Sequence, residues 1–132
     1  MGPGTEMRSE GRQLSGGELN AAVARLVVGC YREYLGRGPT KAQAFYRDNF
    51  VVAVLENTMT RAEESLAAGD GEDAVLDVRR AIQKAMRTDL VVGVERLTGC
   101  KVLAFMSSNH LWPDMASEVF VLDAPVRGHA VV

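Results

Sequence analysis

Three short segments of this chain are apolar at odd and even positions alike: Phe50 to Leu55 (FVVAVL), Val102 to Met106 (VLAFM) and Val119 to Leu122 (VFVL). A strand in a sheet with one wet face alternates apolar and polar side chains. Runs without alternation therefore belong to strands that need cover on both faces. The cover has to come from helices on each side or from a second copy of the chain. Three helices, one of them short, are few for that task. A symmetric homodimer is the economical expectation.

The remaining elements follow from periodicity and breakers. Leu19, Val23, Leu26, Val27, Cys30 and Tyr34 recur at steps of three and four, one face of a helix that stops at Gly36-Arg37-Gly38-Pro39. Lys41 to Arg47 alternates mildly and leads through the Asp48-Asn49 turn into the first apolar run, so the two read as a hairpin. Thr60 with Glu63 fits a capping box that opens a short helix, ending at Gly69-Asp70-Gly71. A long helix follows, with an apolar stripe of Val75, Val78, Ile82, Ala85, Met86, Leu90 and Val94, and it stops at Thr98-Gly99. Asp73, Asp77, Arg80, Lys84 and Arg87 run along its other face. A second pair of strands is expected at Lys101–Met106 and Glu118–Leu122, joined by a loop from Ser107 to Ala116. The fold class is α+β, ordered helix-strand-strand-helix-helix-strand-strand, with a four-stranded, mostly antiparallel sheet and helices packed on it.

At 132 residues and 47% hydrophobic, the chain matches one domain with one core. The expected body is residues 16–124, flanked by a disordered tail at 1–15 and a frayed one at 125–132. Aromatics are only 6%, so Val, Leu, Ala and Met must build the core. A net charge of -2 argues against a dedicated nucleic-acid binder. Cys30 and Cys100 form no zinc or redox spacing and read as buried free thiols, apolar in behaviour. No segment has the length of apolar sequence that spans a bilayer, and neither a secretory leader nor a myristoylation pattern opens the chain. The expectation is a cytoplasmic protein with no direct membrane insertion.

Two loops gather the residues with chemistry. Gly36, Arg37, Gly38 and Lys41 could form a backbone nest with two cations, an anion site, although a helix terminator needs the same glycines. Its spacing is not that of a P-loop. In the second loop Ser107, His110 and Asp114 could share a proton, a metal or a ligand. Residues so close along one loop rarely assemble a Ser-His-Asp triad, and His129, the other histidine, lies far off in the tail. The simpler reading is a polar hairpin anchored by Trp112. Arg79, at the border of the apolar stripe, must snorkel or pair with a buried carboxylate. Arg79, Arg80, Lys84 and Arg87 could be a nucleic-acid face, but interleaved acids make a solvated helix face the better reading. No cofactor or metal is expected.

Taken together, Tyr34-Leu35-Gly36-Arg37-Gly38-Pro39, VVAVLEN leading to Thr60-Arg61-Ala62-Glu63, Thr98-Gly99-Cys100-Lys101-Val102 and MSSNHLWPDMASEVFVL give an ordered series. The series resembles the MpsC-like family, named for a sodium-translocating, membrane-potential-generating system, over roughly Leu19 to Leu122. The resemblance implies a small protein associated with a membrane transport partner. Ser108 stands where the family pattern has an acid, which argues against metal or acid–base chemistry in that loop. The functional expectation is a non-enzymatic accessory or regulatory module, homodimeric, binding a protein or small ligand through Gly36, Arg37, Gly38, Lys41, Arg79, Ser107, His110 and Asp114. The rival readings are a small enzyme using Ser107, His110 and Asp114, and a nucleic-acid binder on the Arg79–Arg87 helix face.

Overall fold

In the computed structural model, which describes residues 14–127, both long helices stop at a left-handed glycine. Helix α1 (Gly16–Leu35) ends at Gly36, φ 82°, whose N–H donates to the Arg32 carbonyl. Strands β1 (Lys41–Arg47) and β2 (Phe50–Glu56) form the first hairpin. Helix α2 (Arg61–Ala68) is opened by the expected capping box: the Glu63 N–H donates to Thr60 Oγ1, and the Thr60 N–H to the Glu63 carboxylate. Helix α3 (Glu72–Thr98) ends at Gly99, φ 74°. Strands β3 (Val102–His110) and β4 (Met115–Leu122) form the second hairpin.

The expected α+β order is the observed one. The sheet runs β1-β2-β4-β3, antiparallel throughout. Each helix-then-hairpin unit thus gives its second strand to the centre and its first to an edge. The second hairpin differs from the sequence reading in its length. β3 continues to His110 and β4 begins at Met115, so Ser107 and Ser108 lie in a strand and the connection shrinks to Leu111–Asp114. Polar side chains do not interrupt a backbone ladder: Ser107 pairs with Glu118, Ser108 with Ser117 and Asn109 with Ala116. The Ser108 and Ser117 hydroxyls add a cross-strand hydrogen bond of 2.9 Å.

Helices α1 and α3 pack together against one face of the sheet. Val51, Ala53, Leu55, Ala116, Phe120 and Leu122 point into this layer and meet Leu19, Val23, Val27, Met86, Leu90 and Val94. The buried row of α1 contains Tyr31 in place of Tyr34, which is more than a third exposed. On α3 the buried row is Val75, Arg79, Gln83, Met86, Leu90, Val94 and Thr98. Val78 and Ala85 of the expected stripe are exposed, and two polar residues stand inside it instead. Around α2, Met59, Ala67, Val75 and Leu111 form a second, smaller apolar cluster. The tails expected at 1–15 and 125–132 lie mostly outside the described residues; next to them the Leu14 N–H donates to the Leu97 carbonyl, and Val126 is buried with its N–H on the Asp48 carbonyl.

Among the described residues no helix packs on the other face of the sheet. One row across it reads Phe45, Val52, Val119, Met106, and the next Arg47, Phe50, Val121, Ala104. Phe45, Phe50 and Met106 are each about half exposed (49%, 47% and 53%). Among the described residues the two-faced apolar strands thus have cover on one side only.

The glycines offer a test of this backbone. Gly36 and Gly29 both have open space where a Cβ would stand, but Gly36 is left-handed while Gly29 lies inside α1. Gly36→Ala is expected to lower stability by about 1–2 kcal/mol, and Gly29→Ala to raise it by up to about 1 kcal/mol. Urea denaturation of the two variants should give shifts of opposite sign with an unchanged slope.

Candidate functional site

Arg79 and Gln83, in the buried row of α3, each belong to a buried network. Arg79, 1% exposed, grips Glu63 of α2 with two hydrogen bonds, Nε to Oε2 at 2.8 Å and a terminal nitrogen to Oε1 at 2.9 Å. Its other terminal nitrogen donates to Thr58 Oγ1 at 2.9 Å. Thr58 in turn donates to Asp114 Oδ1 at 3.2 Å, and the Met59 N–H donates to Asp114 Oδ2 at 2.8 Å. Of the two options open to Arg79, pairing with a buried carboxylate is the one realised. Burial pushes the Glu63 carboxyl upward, but the Arg79 and Thr60 hydrogen bonds and the guanidinium charge outweigh it and hold the group below its ordinary value.

The loop after α1 is fastened to the same region. Arg37 donates to the carbonyls of Met59 (2.7 Å) and Asn57 (3.1 Å), so its guanidinium clamps the β2–α2 connection. Asn57, itself at φ 60°, donates to Thr40 Oγ1. Gly38 lies against Arg32 and Val28, and Lys41 faces Glu56 across 3.9 Å at the surface.

Ser107, His110 and Asp114 are not drawn together. Asp114 is committed to Thr58 and Met59. His110 Nδ1 donates to the Pro113 carbonyl at 2.8 Å and stands on the open face, in the row of Lys41, Glu56 and Met115. Ser107 faces the helix layer and donates to Glu118. The hairpin tip is anchored by buried Leu111; Trp112 is about half exposed and its indole N–H reaches Glu72 Oε2 at 3.2 Å.

Glu118 is a functional-looking residue that the sequence reading passed over. It sits at the centre of β4, fully buried, and receives hydrogen bonds from Tyr31 (2.5 Å), Ser107 and Gln83 (3.4 Å). All three donors are neutral. Burial raises its carboxyl above the ordinary 4.5, while the three hydrogen bonds oppose that shift without cancelling it. Burial, then the charge of Glu118, keep the Tyr31 phenol protonated. The available signal was a lone carboxylate in an apolar strand, two residues from Ala116 and two from Phe120, on the face the helices cover.

Ser107 and Gln83 lead from Glu118 to the surface, where they line a cleft of about 310 Å³ between α3 and the edge strand β3. Arg80, Lys84, Arg87 and Phe105 complete its wall. The Arg87 guanidinium lies 5.5 Å from the Phe105 ring centre, a cation–π contact. Among the described residues, no group of three or more His, Cys, Asp or Glu could hold a metal. Cys30 is buried and its thiol is pushed up to about 11, first by burial and then by the Asp89 charge; Cys100 is half-buried, and both are free. His129 lies outside the described residues.

A family model described as "Na+-translocating membrane potential-generating system (MpsC)" matches residues 15–124. The chain belongs to the MpsC family. The match covers all seven elements of the fold, both buried networks and the cleft. Searches of curated proteins and of solved structures find no match to this MpsC chain. Among its described residues no helix is long and apolar enough to cross a membrane.

Two outcomes follow from the networks. Removing one partner of a buried ion pair strands the other, so Arg79→Met or Glu63→Gln alone should cost about 3–5 kcal/mol. The double variant Arg79→Met with Glu63→Gln should cost less than the two singles combined, a coupling that chemical denaturation of the full cycle would read. Glu118 acts in the opposite sense with pH. Its folded carboxyl holds a proton that the unfolded chain releases near 4.5, so its contribution is complete below that value and is lost as pH rises through the folded value. Glu118→Gln cannot ionise, and its stability relative to the parent should climb from pH 4 upward; parallel pH profiles would refute the assignment.

Proposed function

We propose that this protein is a non-enzymatic accessory module of the sodium-translocating system its family is named for, working in the cytoplasm as a homodimer joined through the open face of its sheet. The observation that carries this reading is the bare apolar row Phe45, Val52, Val119, Met106, continued by Phe50 and Val121. Contiguous apolar surface of this kind is withdrawn from water in stable proteins. A second copy offers the same patch, and a two-fold axis makes such a patch its own complement. The polar groups singled out by sequence support a non-catalytic role, because Arg37, Arg79 and Asp114 are spent on one another's neighbourhoods and Ser107 on Glu118. Two free cysteines suit a reducing compartment. Contact with a membrane partner would fall to the remaining surfaces, including His110 and Lys41 at the rim of the open face.

The test is the mass in solution. Native mass spectrometry and light scattering at micromolar concentration should give twice the chain mass of 14.3 kDa. Val119→Arg, at the middle of the row, should yield a folded monomer. A parent protein that is monomeric, or a dimer that Val119→Arg leaves intact, would overturn the pairing.

A further inference from the structure

The cleft between α3 and β3 lies on the helix side of the sheet, away from the proposed pairing face, and its chemistry is one-sided. Arg80, Lys84 and Arg87 fall at successive turns of α3, so Lys84 stands about 6 Å along the axis from Arg80 and about 4.5 Å from Arg87. Arg80 is paired with Asp77 on its own helix. Among the described residues no carboxylate lies within ion-pair distance of Lys84 or Arg87. The cleft thus offers about two uncompensated positive charges, which matches a phosphate monoester at neutral pH. Its floor is shaped for more than a bare ion. Phe105 presents a half-buried ring, held on one side by Arg87. Ser107 and Gln83, the latter 5% exposed, stand beside it with their positions fixed by Glu118. A volume of about 310 Å³ suits a small ligand and not a folded polymer.

We propose that this cleft binds a small phosphate monoester, its phosphate held by Lys84 and Arg87 with help from Arg80, and its body resting on Phe105 beside Ser107 and Gln83. Positive charge supplies the attraction, and the pre-set guanidinium and ring supply the geometry. Ser107 ties the floor of the cleft to the core through the hydrogen bond its hydroxyl donates to Glu118. The site would let the module sense a phosphorylated metabolite.

The probe is phenyl phosphate, the smallest molecule that carries both features, followed by calorimetry and by backbone amide shifts on the full chain. Saturable binding is expected, with shifts centred on 80–87 and 105–107, and none with phenol. Lys84→Ala and Arg87→Ala should each weaken binding by roughly tenfold or more, as loss of a charged hydrogen bond does. Both residues are exposed, so the variants should fold, and their circular dichroism checks it. The cleft between α1 and β1 on the opposite flank, with Arg25 and Arg32, is the control. Arg25→Ala should leave the affinity unchanged; an equal loss there would reduce the effect to net charge and overturn the site. Absence of saturation at millimolar phenyl phosphate overturns it too. Binding seen only with phosphatidic acid vesicles, or only with a single-stranded oligonucleotide and falling steeply with salt, would give the cations to another partner and refute the small-molecule site. Because the pairing face is on the other side of the sheet, Val119→Arg should bind phenyl phosphate as the parent does, which separates the fate of this site from that of the dimer.

Discussion

The Arg79–Glu63 pair is the contact on which the arrangement of the helices depends. Helix α2 packs on α3 and not on the sheet, and with eight residues it is too short to be stable alone. Its apolar contribution is small, with Ala67 buried and Leu66 exposed. What fixes it is one bidentate grip, in which Glu63 serves at once as ion-pair partner and as the reciprocal half of the capping box. The same guanidinium reaches Thr58, through which Asp114 brings in the tip of the second hairpin. Three segments distant in sequence, the stretch from Thr58 to Glu63, Arg79 on α3 and the hairpin tip at Asp114, therefore meet at a charge that cannot be left alone in the interior. No buried side-chain polar atom among the described residues lacks a partner, which is the condition for such a centre to be tolerated.

Glu118 is the second constraint, and it works differently. Arg79 and Glu63 neutralise each other; Glu118 has only hydroxyl and amide donors around it. Its ionisation is opposed by burial, so this part of the core is most comfortable with the carboxyl protonated. Tyr31 from α1, Gln83 from α3 and Ser107 from β3 converge on one carboxyl of β4. An apolar residue at 118 would fill the space but would leave three donors from three elements without a partner.

The fold was largely legible because its signals are local. Gly36 and Gly99 stop the long helices, Thr60 and Glu63 cap α2, and the apolar runs mark the strands. What misled was polarity read as a loop. Ser107, Ser108 and Asn109 looked like a connection, yet their backbones pair in register and their side chains alternate between a buried carboxyl and an open face. The helix stripe misled for the same reason: Val78 and Ala85 were counted inside by hydrophobicity, whereas Arg79 and Gln83 are inside because each has a partner far along the chain. A pattern of apolar residues cannot reveal that Glu63 or Glu118 waits opposite. Of the residues singled out for chemistry, Arg37, Arg79 and Asp114 make hydrogen bonds that fasten the β2–α2 connection and α2 in place, a use that sequence spacing does not distinguish from ligand contact.

The buried polar contacts also decide where the exposed charges stand. If α3 slid by one turn along the sheet, Arg79 would leave Glu63 and strand its carboxylate, and Gln83 would leave Glu118, which would lose one of its three donors. An apolar helix face pays much less for such a slip, since leucine and valine accept many neighbours. Arg80, Lys84 and Arg87 follow Arg79 and Gln83 on the same rigid helix, so their placement over Phe105 and Ser107 is inherited from contacts beneath them. The polar interior, costly by itself, is thus what gives these surface cations a defined position against the edge of the sheet.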